Sequence, residues 1–392
     1  MTARTRTRPH VRSATSLVGV LLLAGCVETL PPIDEITSLR VDLLLPTDPG
    51  AADRRLDDTV TSAQIQVTAI DAQGLVADLD GPVKVYVQFL GTLTPELGGS
   101  APLTTIMLTD GVSAPATVML PPVFGPTVLW VEDDSEGGTY PTGTSPVLWF
   151  GDPFIADIST PEDEMALDAL SSSPLELKQV TVSGSRYGAM GRLVVTGTYA
   201  QGYSLSDVRC ADASGTPPCV AGSYDHILIF SFSRPKDEQG RAITAGQFTN
   251  GFSGGVQEFN GLTEIGFPQS FVTEPDPVIA DPARIPAPAV VQTSWLTNII
   301  EFERNETGLI EVDNGTVCPI DDDYTTYKQW KLDIGRGCGS PINVITTGIS
   351  DFDPTTQVGM PVTRVIGILR PVNIGTFNVW IMYPRTGADL TL

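Results

Sequence analysis

The chain of 392 residues carries 23 basic and 46 acidic side chains, a formal charge of −23. Such a charge repels phosphate backbones and anionic lipid surfaces at long range, and no dense run of Lys and Arg offsets it locally, so nucleic acid is disfavoured as a partner. With 38 Gly, 32 Pro and a hydrophobic fraction of 41%, the composition describes a turn-rich, foldable, all-β chain too long for one core of ordinary size.

The first element is the apolar run Leu17 to Ala24, behind a start that holds Arg4, Arg6, Arg8 and Arg12 and no acid before Cys26. A transmembrane helix needs about 20 apolar residues, so this run is too short to span and reads as the apolar centre of a secretory signal peptide. It ends in Leu23-Ala24-Gly25-Cys26, which resembles the bacterial lipobox, the tetrapeptide cut just before a Cys that is diacylated through its thiol. The resemblance implies a signal peptide over 1–25, a mature chain beginning at Cys26 and lipidation (palmitate) on that residue. Loss of the four Arg would take the charge from −23 to −27. One acyl chain anchors marginally and two anchor stably, so the expected partner at this end is a membrane. Val27 and Glu28 follow the Cys without the Asp that commonly marks inner-membrane retention, which points to the outer membrane of the cell envelope. Residues 26–35 form a short tether.

The next segment supplies alternating β-rich runs: 39-LRVDLLL-45, 63-AQIQVTAID-71, 83-VKVYVQFL-90, 103-LTTIMLTDG-111, 116-ATVMLP-121, 127-TVLWVED-133 and 145-SPVLWF-150. Within the second, Ile65, Val67 and Ala69 share one face, and Gln64, Gln66 and Thr68 the other. Short strands separated by Gly, Pro and Asp predict an antiparallel sandwich over 36–150. Stretches such as VTAIDAQG and LTDG resemble the immunoglobulin-like modules of bacterial surface proteins. Residues 151–173 break the pattern and are expected to form a linker with a short helix, started by Ser159 to Glu164 and continued through MALDAL.

Beyond Pro174 the chain repeats itself weakly. Both halves end in a strand, a turn and a second strand closing on aromatic-Pro, at Phe267-Pro268 and Tyr383-Pro384. The segments ETGLIEVDN, YKQWKLD, QVGMPVTRVIGIL and FNVWIMYPRTGADL resemble the OB-fold-like modules of exported bacterial proteins, including those appended to extracellular nucleases. The resemblance implies two small β-barrels, over 174–275 and 276–392, of a kind that can bind oligonucleotides or oligosaccharides on one face. A fold does not carry that function by itself.

Four Cys remain after Cys26 and fall into two local pairs, Cys210 with Cys219 and Cys318 with Cys338. In an exported chain both are expected as disulfides. Neither has a close C-x-x-C or a nearby His that would suggest a metal site. No catalytic signature occurs, and His226, the single His beyond residue 25, is expected to face outward at a strand start. The chain therefore reads as a non-enzyme without a cofactor. The acidic runs Asp321-Asp322-Asp323 and Glu132-Asp133-Asp134 read as solvated turns, able at most to take Ca2+ opportunistically. A possible ligand face gathers Tyr324, Tyr327, Trp330, Lys331 and Arg336, since aromatics and cations together stack bases or sugars, although Trp330, at strand spacing from Lys328 and Leu332, equally suits core packing. The expected function is that of a non-catalytic, lipid-anchored envelope protein serving as a structural or protein-interaction module with an envelope protein partner. The alternative is a carbohydrate- or nucleic-acid-binding lipoprotein using a barrel face.

Overall fold

The computed structural model describes residues 36–57, 59–89, 101–134, 141–161, 163–164, 172–272, 279–374 and 377–392. The apolar run, the lipobox with Cys26, the tether and MALDAL lie outside them. The described chain is all-β, with a sandwich followed by two small barrels. Among the described residues no helix is long and apolar enough to cross a membrane.

The sandwich contains β1 (Ile36–Leu45), β2 (Ser62–Asp71), β3 (Gly81–Phe89), β4 (Thr104–Thr109), β5 (Val112–Ser113), β6 (Ala116–Met119), β7 (Pro126–Asp133), β8 (Thr142–Thr144) and β9 (Leu148–Trp149). Pairing follows β1-β2-β5-β4 and β3-β7-β8, with β6 continuing β5 along β2 and β9 pairing β7. That is the strand order of an immunoglobulin-type sandwich. Strand β4 also pairs with β3, so the two layers form one curled sheet. At the open edge β8 returns against β1, so closely that a Cβ on Gly143 would lie 1.8 Å from the Leu39 carbonyl oxygen. The expected alternation is present: Ile65, Val67 and Ala69 are buried between the layers with Val83, Val85 and Leu129.

The first barrel is built from α1 (Ile155–Ser159), β10 (Gln179–Val182), β11 (Gly191–Tyr199), β12 (Gly202–Arg209), β13 (His226–Phe230), β14 (Phe248–Thr249), β15 (Gly251–Phe259) and β16 (Leu262–Phe271). Strands β14 and β15 are one strand interrupted at Asn250. Strand β11 pairs with β12 and β12 with β13, both antiparallel. Strand β13 pairs with β16 in parallel, β16 with β15 antiparallel, and β14 closes back on β11. Five strands thus close in the order first, second, third, fifth, fourth.

The second barrel repeats this connectivity. It comprises β17 (Ala289–Val290), α2 (Ile300–Glu303), β18 (Leu309–Val317), α3 (Asp322–Tyr327), β19 (Gln329–Asp333), β20 (Ile342–Ile345), β21 (Pro361–Ile374), β22 (Phe377–Tyr383) and β23 (Leu390–Thr391). Its third and fifth strands, β20 and β22, are parallel, and β18 pairs with β21 to close the ring. Both units have the five-stranded barrel architecture of the OB type.

A short helix precedes each barrel and plugs it. Ile155 and Ile158, one turn apart on α1, are fully buried in the first core with Val195 and Phe252. Phe302 of α2 fills the second core, with the Trp295 ring 5.5 Å away. The helix of the 151–173 segment therefore begins earlier than Ser159. Asp157 accepts the Phe154 N–H at 2.8 Å to cap its start, and Pro161, which cannot donate, lies just beyond its end. The apolar pair Ile155/Ile158 needed a core, and the first barrel supplies it.

Candidate functional site

Barrels of the OB type bind on the outer face of their second and third strands, between the loops that follow strands one and four. In the second barrel these are β19, β20, the loop carrying α3, and the end of β21 with the start of β22. Side chains alternate along β19, and this decides the fate of two of the five sequence candidates, Trp330 and Lys331. Trp330 points inward and is 1% exposed. Its Nε1 donates to Thr346 Oγ1 at 3.3 Å and its ring packs 5.2 Å from Phe352. Trp330 is core, not a ligand platform. Lys331 points outward, but its Nζ donates to both Asp321 and Asp323.

The same contacts explain the acidic run. Asp321 caps α3 by accepting the Asp323 N–H at 3.2 Å, and the Lys331 pair answers two of the three carboxylates. Tyr324 is half-buried against the core with Lys328 Nζ over its ring at 5.1 Å. Tyr327 is 60% exposed, and its ring lies 6.1 Å from that of Phe377 at the start of β22. Arg336 is exposed in a loop whose N–H groups at Gly335, Arg336 and Gly337 all donate to Asp333 Oδ1. Of the five, Tyr327 and Arg336 stay exposed on this face, Lys331 is tied to the acidic run, Tyr324 is half-buried and Trp330 is core, while Lys328 and Phe377 join the face. Phe377 could have been found from its place two residues after Gly375 in the sequence.

Both disulfides form as their spacing suggests, Cys210–Cys219 and Cys318–Cys338, with Sγ–Sγ distances of 2.03 and 2.06 Å. The second holds the α3 loop to the segment bearing Arg336. Of the other acidic run, Asp134 is paired with Lys84 and Asp133 is buried. Among the described residues, Asp78, Asp80 and Asp110 bring carboxylate oxygens within 4.8 Å of one another on the exposed surface. Asp80 there accepts the Asp110 N–H at 2.8 Å, as a turn requires.

The equivalent face of the first barrel is closed. Every residue of β12 from Gly202 to Val208 is buried, as are His226 to Ile229 of β13. Tyr203, Leu205, Ile227 and Ile229 point into the barrel's own core and Val208 packs with Cys210 and Cys219. Gly308 of the second barrel lies against His226, and the second barrel bonds around the margins of the face. The Arg304 carbonyl accepts the Tyr224 N–H at 2.8 Å, and Glu306 Oε1 accepts the Thr263 N–H at 2.9 Å. Arg385 Nη1 donates to the Thr196 carbonyl at 2.9 Å, and the Asn373 N–H to the Asn260 carbonyl at 2.8 Å.

His226, expected to face outward, is 7% exposed. Its Nδ1 lies 2.7 Å from Ser206 Oγ, and Gly308 of the second barrel sits on the ring so closely that a Cβ would lie 2.5 Å from it. Burial pushes its pKa down to about 4. The Ser206–His226 pair is sealed from substrate. Two further acids lie deep in the same wall. Asp225 Oδ1 is ion-paired with Arg186 Nε at 2.7 Å, and its Oδ2 accepts from the Tyr187 hydroxyl at 2.6 Å. Burial pushes Asp207 up to about 6.

Three carboxyls meet at the joint between the barrels. Burial and the neighbouring Glu303 and Glu258 raise Glu306 well above the usual carboxylate range, while burial raises Glu303 to about 7. Glu258 is raised by burial too, although the Ser173 N–H and the Thr263 hydroxyl donate to it. The joint to the sandwich is more open. There a cavity of about 450 Å3 is lined by Leu120, Pro122, Phe124, Phe150 and Phe154, and Phe124 reaches the core of the first barrel. No protein-family model, curated protein or solved structure matches the chain.

Proposed function

We propose that this protein is a non-catalytic, lipid-anchored component of the bacterial cell envelope that presents stacked β-modules to an envelope protein partner. The lipid anchor rests on Leu23-Ala24-Gly25-Cys26 and the basic, apolar segment before it. The observation that carries the module reading is the joint between the barrels. The first barrel is tied to a neighbouring module around the face that could receive a ligand, through hydrogen bonds from Tyr224, Thr263 and Arg385. Joined barrels behind a sandwich suit a spacer or docking platform, and the acidic surface suits repulsion from the anionic membrane to which the lipid would tie it.

The test is crosslinking in intact cells, capture of the tagged protein and mass spectrometry, with labelled palmitate followed in parallel. A stoichiometric envelope partner, lost together with the label in Cys26→Ser, is the expected result. Label on the Cys26→Ser chain would remove the lipobox assignment, and no partner above background would remove the docking role. The second reading, carbohydrate or nucleic-acid binding on the second barrel, draws on Tyr327, Phe377, Lys328 and Arg336. It predicts that Tyr327→Ala weakens binding of an oligosaccharide or single-stranded oligonucleotide.

A further inference from the structure

Arg370 on β21 is the observation that the joint between the barrels does not explain. Its guanidinium lies over the Tyr199 ring of the first barrel at 4.3 Å and over the Tyr383 ring at 5.1 Å. With its faces given to two aromatic rings, the N–H edge is what remains to bond. Nε is buried without a partner, as is the Tyr199 hydroxyl; among the described residues no ion pair or hydrogen bond engages the Arg370 side chain, which is attracted only at longer range by the Glu264 carboxylate. A buried Nε–H without an acceptor is costly, and the Nη groups, which are not among the buried unpartnered atoms, form a fork that matches a planar carboxylate.

The cavity beside Arg370 holds about 200 Å3 and is walled by both barrels. Its rim on the first barrel is the β11–β12 turn with Gln201 and the β15–β16 turn with Phe259 and Asn260. Phe259 is 60% exposed, and neither carboxamide makes a side-chain hydrogen bond among the described residues. An aromatic face suits the C–H side of a sugar ring, and carboxamides both donate to and accept from hydroxyls. We propose that this inter-barrel cleft binds an acidic sugar, a uronate, whose carboxylate is held by the edge of Arg370 and whose ring rests on Phe259.

Glu264 also lines the cleft and opposes a bound anion. It is 3% exposed, and its Oε1 accepts from Gln257 Nε2 at 2.6 Å. This opposition provides a discriminating variant, because removing the Glu264 charge favours a bound carboxylate while leaving the Arg370 stack in place.

The experiment is calorimetric titration of the mature chain, made soluble by Cys26→Ser, with glucuronate, glucose, acetate and inorganic phosphate in separate arms. Salt of about 0.15 M screens the overall negative charge beyond about 8 Å. Glucuronate is expected to bind at one site, with glucose and acetate at least tenfold weaker. Arg370→Gln weakens glucuronate at least tenfold, Phe259→Ala weakens it several-fold, and Glu264→Gln tightens it. Arg370 bridges the barrels, so Phe259→Ala, at an exposed position, keeps the test valid if Arg370→Gln fails to fold. No binding of glucuronate overturns the proposal. So does equal binding of acetate or phosphate, which would reduce the cleft to a simple anion site, or glucuronate binding unchanged by Phe259→Ala.

Discussion

Trp330 and Tyr327 lie three residues apart and answer to different forces. Trp330 fills the second barrel, so Trp330→Ala leaves a large void and is expected to destabilise by about 3–5 kcal/mol, measured by denaturant unfolding. Tyr327 is 60% exposed, and Tyr327→Ala is expected within about 0.5 kcal/mol of the parent. Equal effects of the two substitutions would contradict the inward setting of Trp330. Gly308 offers a second test at this scale. A methyl there meets His226 at 2.5 Å, so Gly308→Ala forces the barrels apart or the ring aside, with an expected cost of about 1–3 kcal/mol. A neutral result would mean that the His226 ring yields easily.

At the scale of elements, the barrel joint titrates from both sides. Glu303 and Glu306 have folded-state values above the ordinary 4.5, so the stability they favour is present below that value and is lost as pH rises, for Glu303 through about 7. His226 works in the opposite direction: its stability is present above 6.5 and is lost as pH falls toward about 4. Glu306→Gln keeps an acceptor for the Thr263 N–H and removes the charge. It is expected to raise Tm by a few degrees near about pH 8 and to change it little near about pH 4. A Tm difference independent of pH would show that Glu306 is not protonated at the joint.

The disulfides form the other element-scale comparison. Cys318–Cys338 closes a separation of 20 residues and Cys210–Cys219 one of 9. Replacing the longer pair by Ser is expected to cost roughly 3 kcal/mol, and the shorter pair somewhat less, by thermal unfolding under non-reducing conditions.

For the whole molecule, the joint is expected to make the barrels one cooperative unit. A chain ending at residue 272 would expose Leu228 and His226 of β13, now buried against the second barrel. It is expected to aggregate or to melt well below the intact chain, whereas the intact barrel pair should melt in a single calorimetric transition. Two separated transitions would mean that the joint is weaker than its buried hydrogen bonds suggest.

Sequence alone determined what depends on local pattern. Alternation such as Ile65, Val67 and Ala69 announces strands because side chains in a strand alternate faces, and the Gly- and Pro-rich breaks between runs announce the sandwich. The repeated strand-turn-strand ends at Phe267-Pro268 and Tyr383-Pro384 marked two related units, and short separations made the two disulfides legible. Tertiary structure decided what lies between the units. Local pattern pointed His226 outward at a strand start and left Trp330, between Gln329 and Lys331, open between core and ligand face. Only strand register turned Trp330 inward, and only the arrival of the second barrel buried His226. The cleft at Arg370 has the same origin: Tyr199 and Arg370 lie 171 positions apart by their numbers, and no local pattern announces a contact that exists only where two folded surfaces meet.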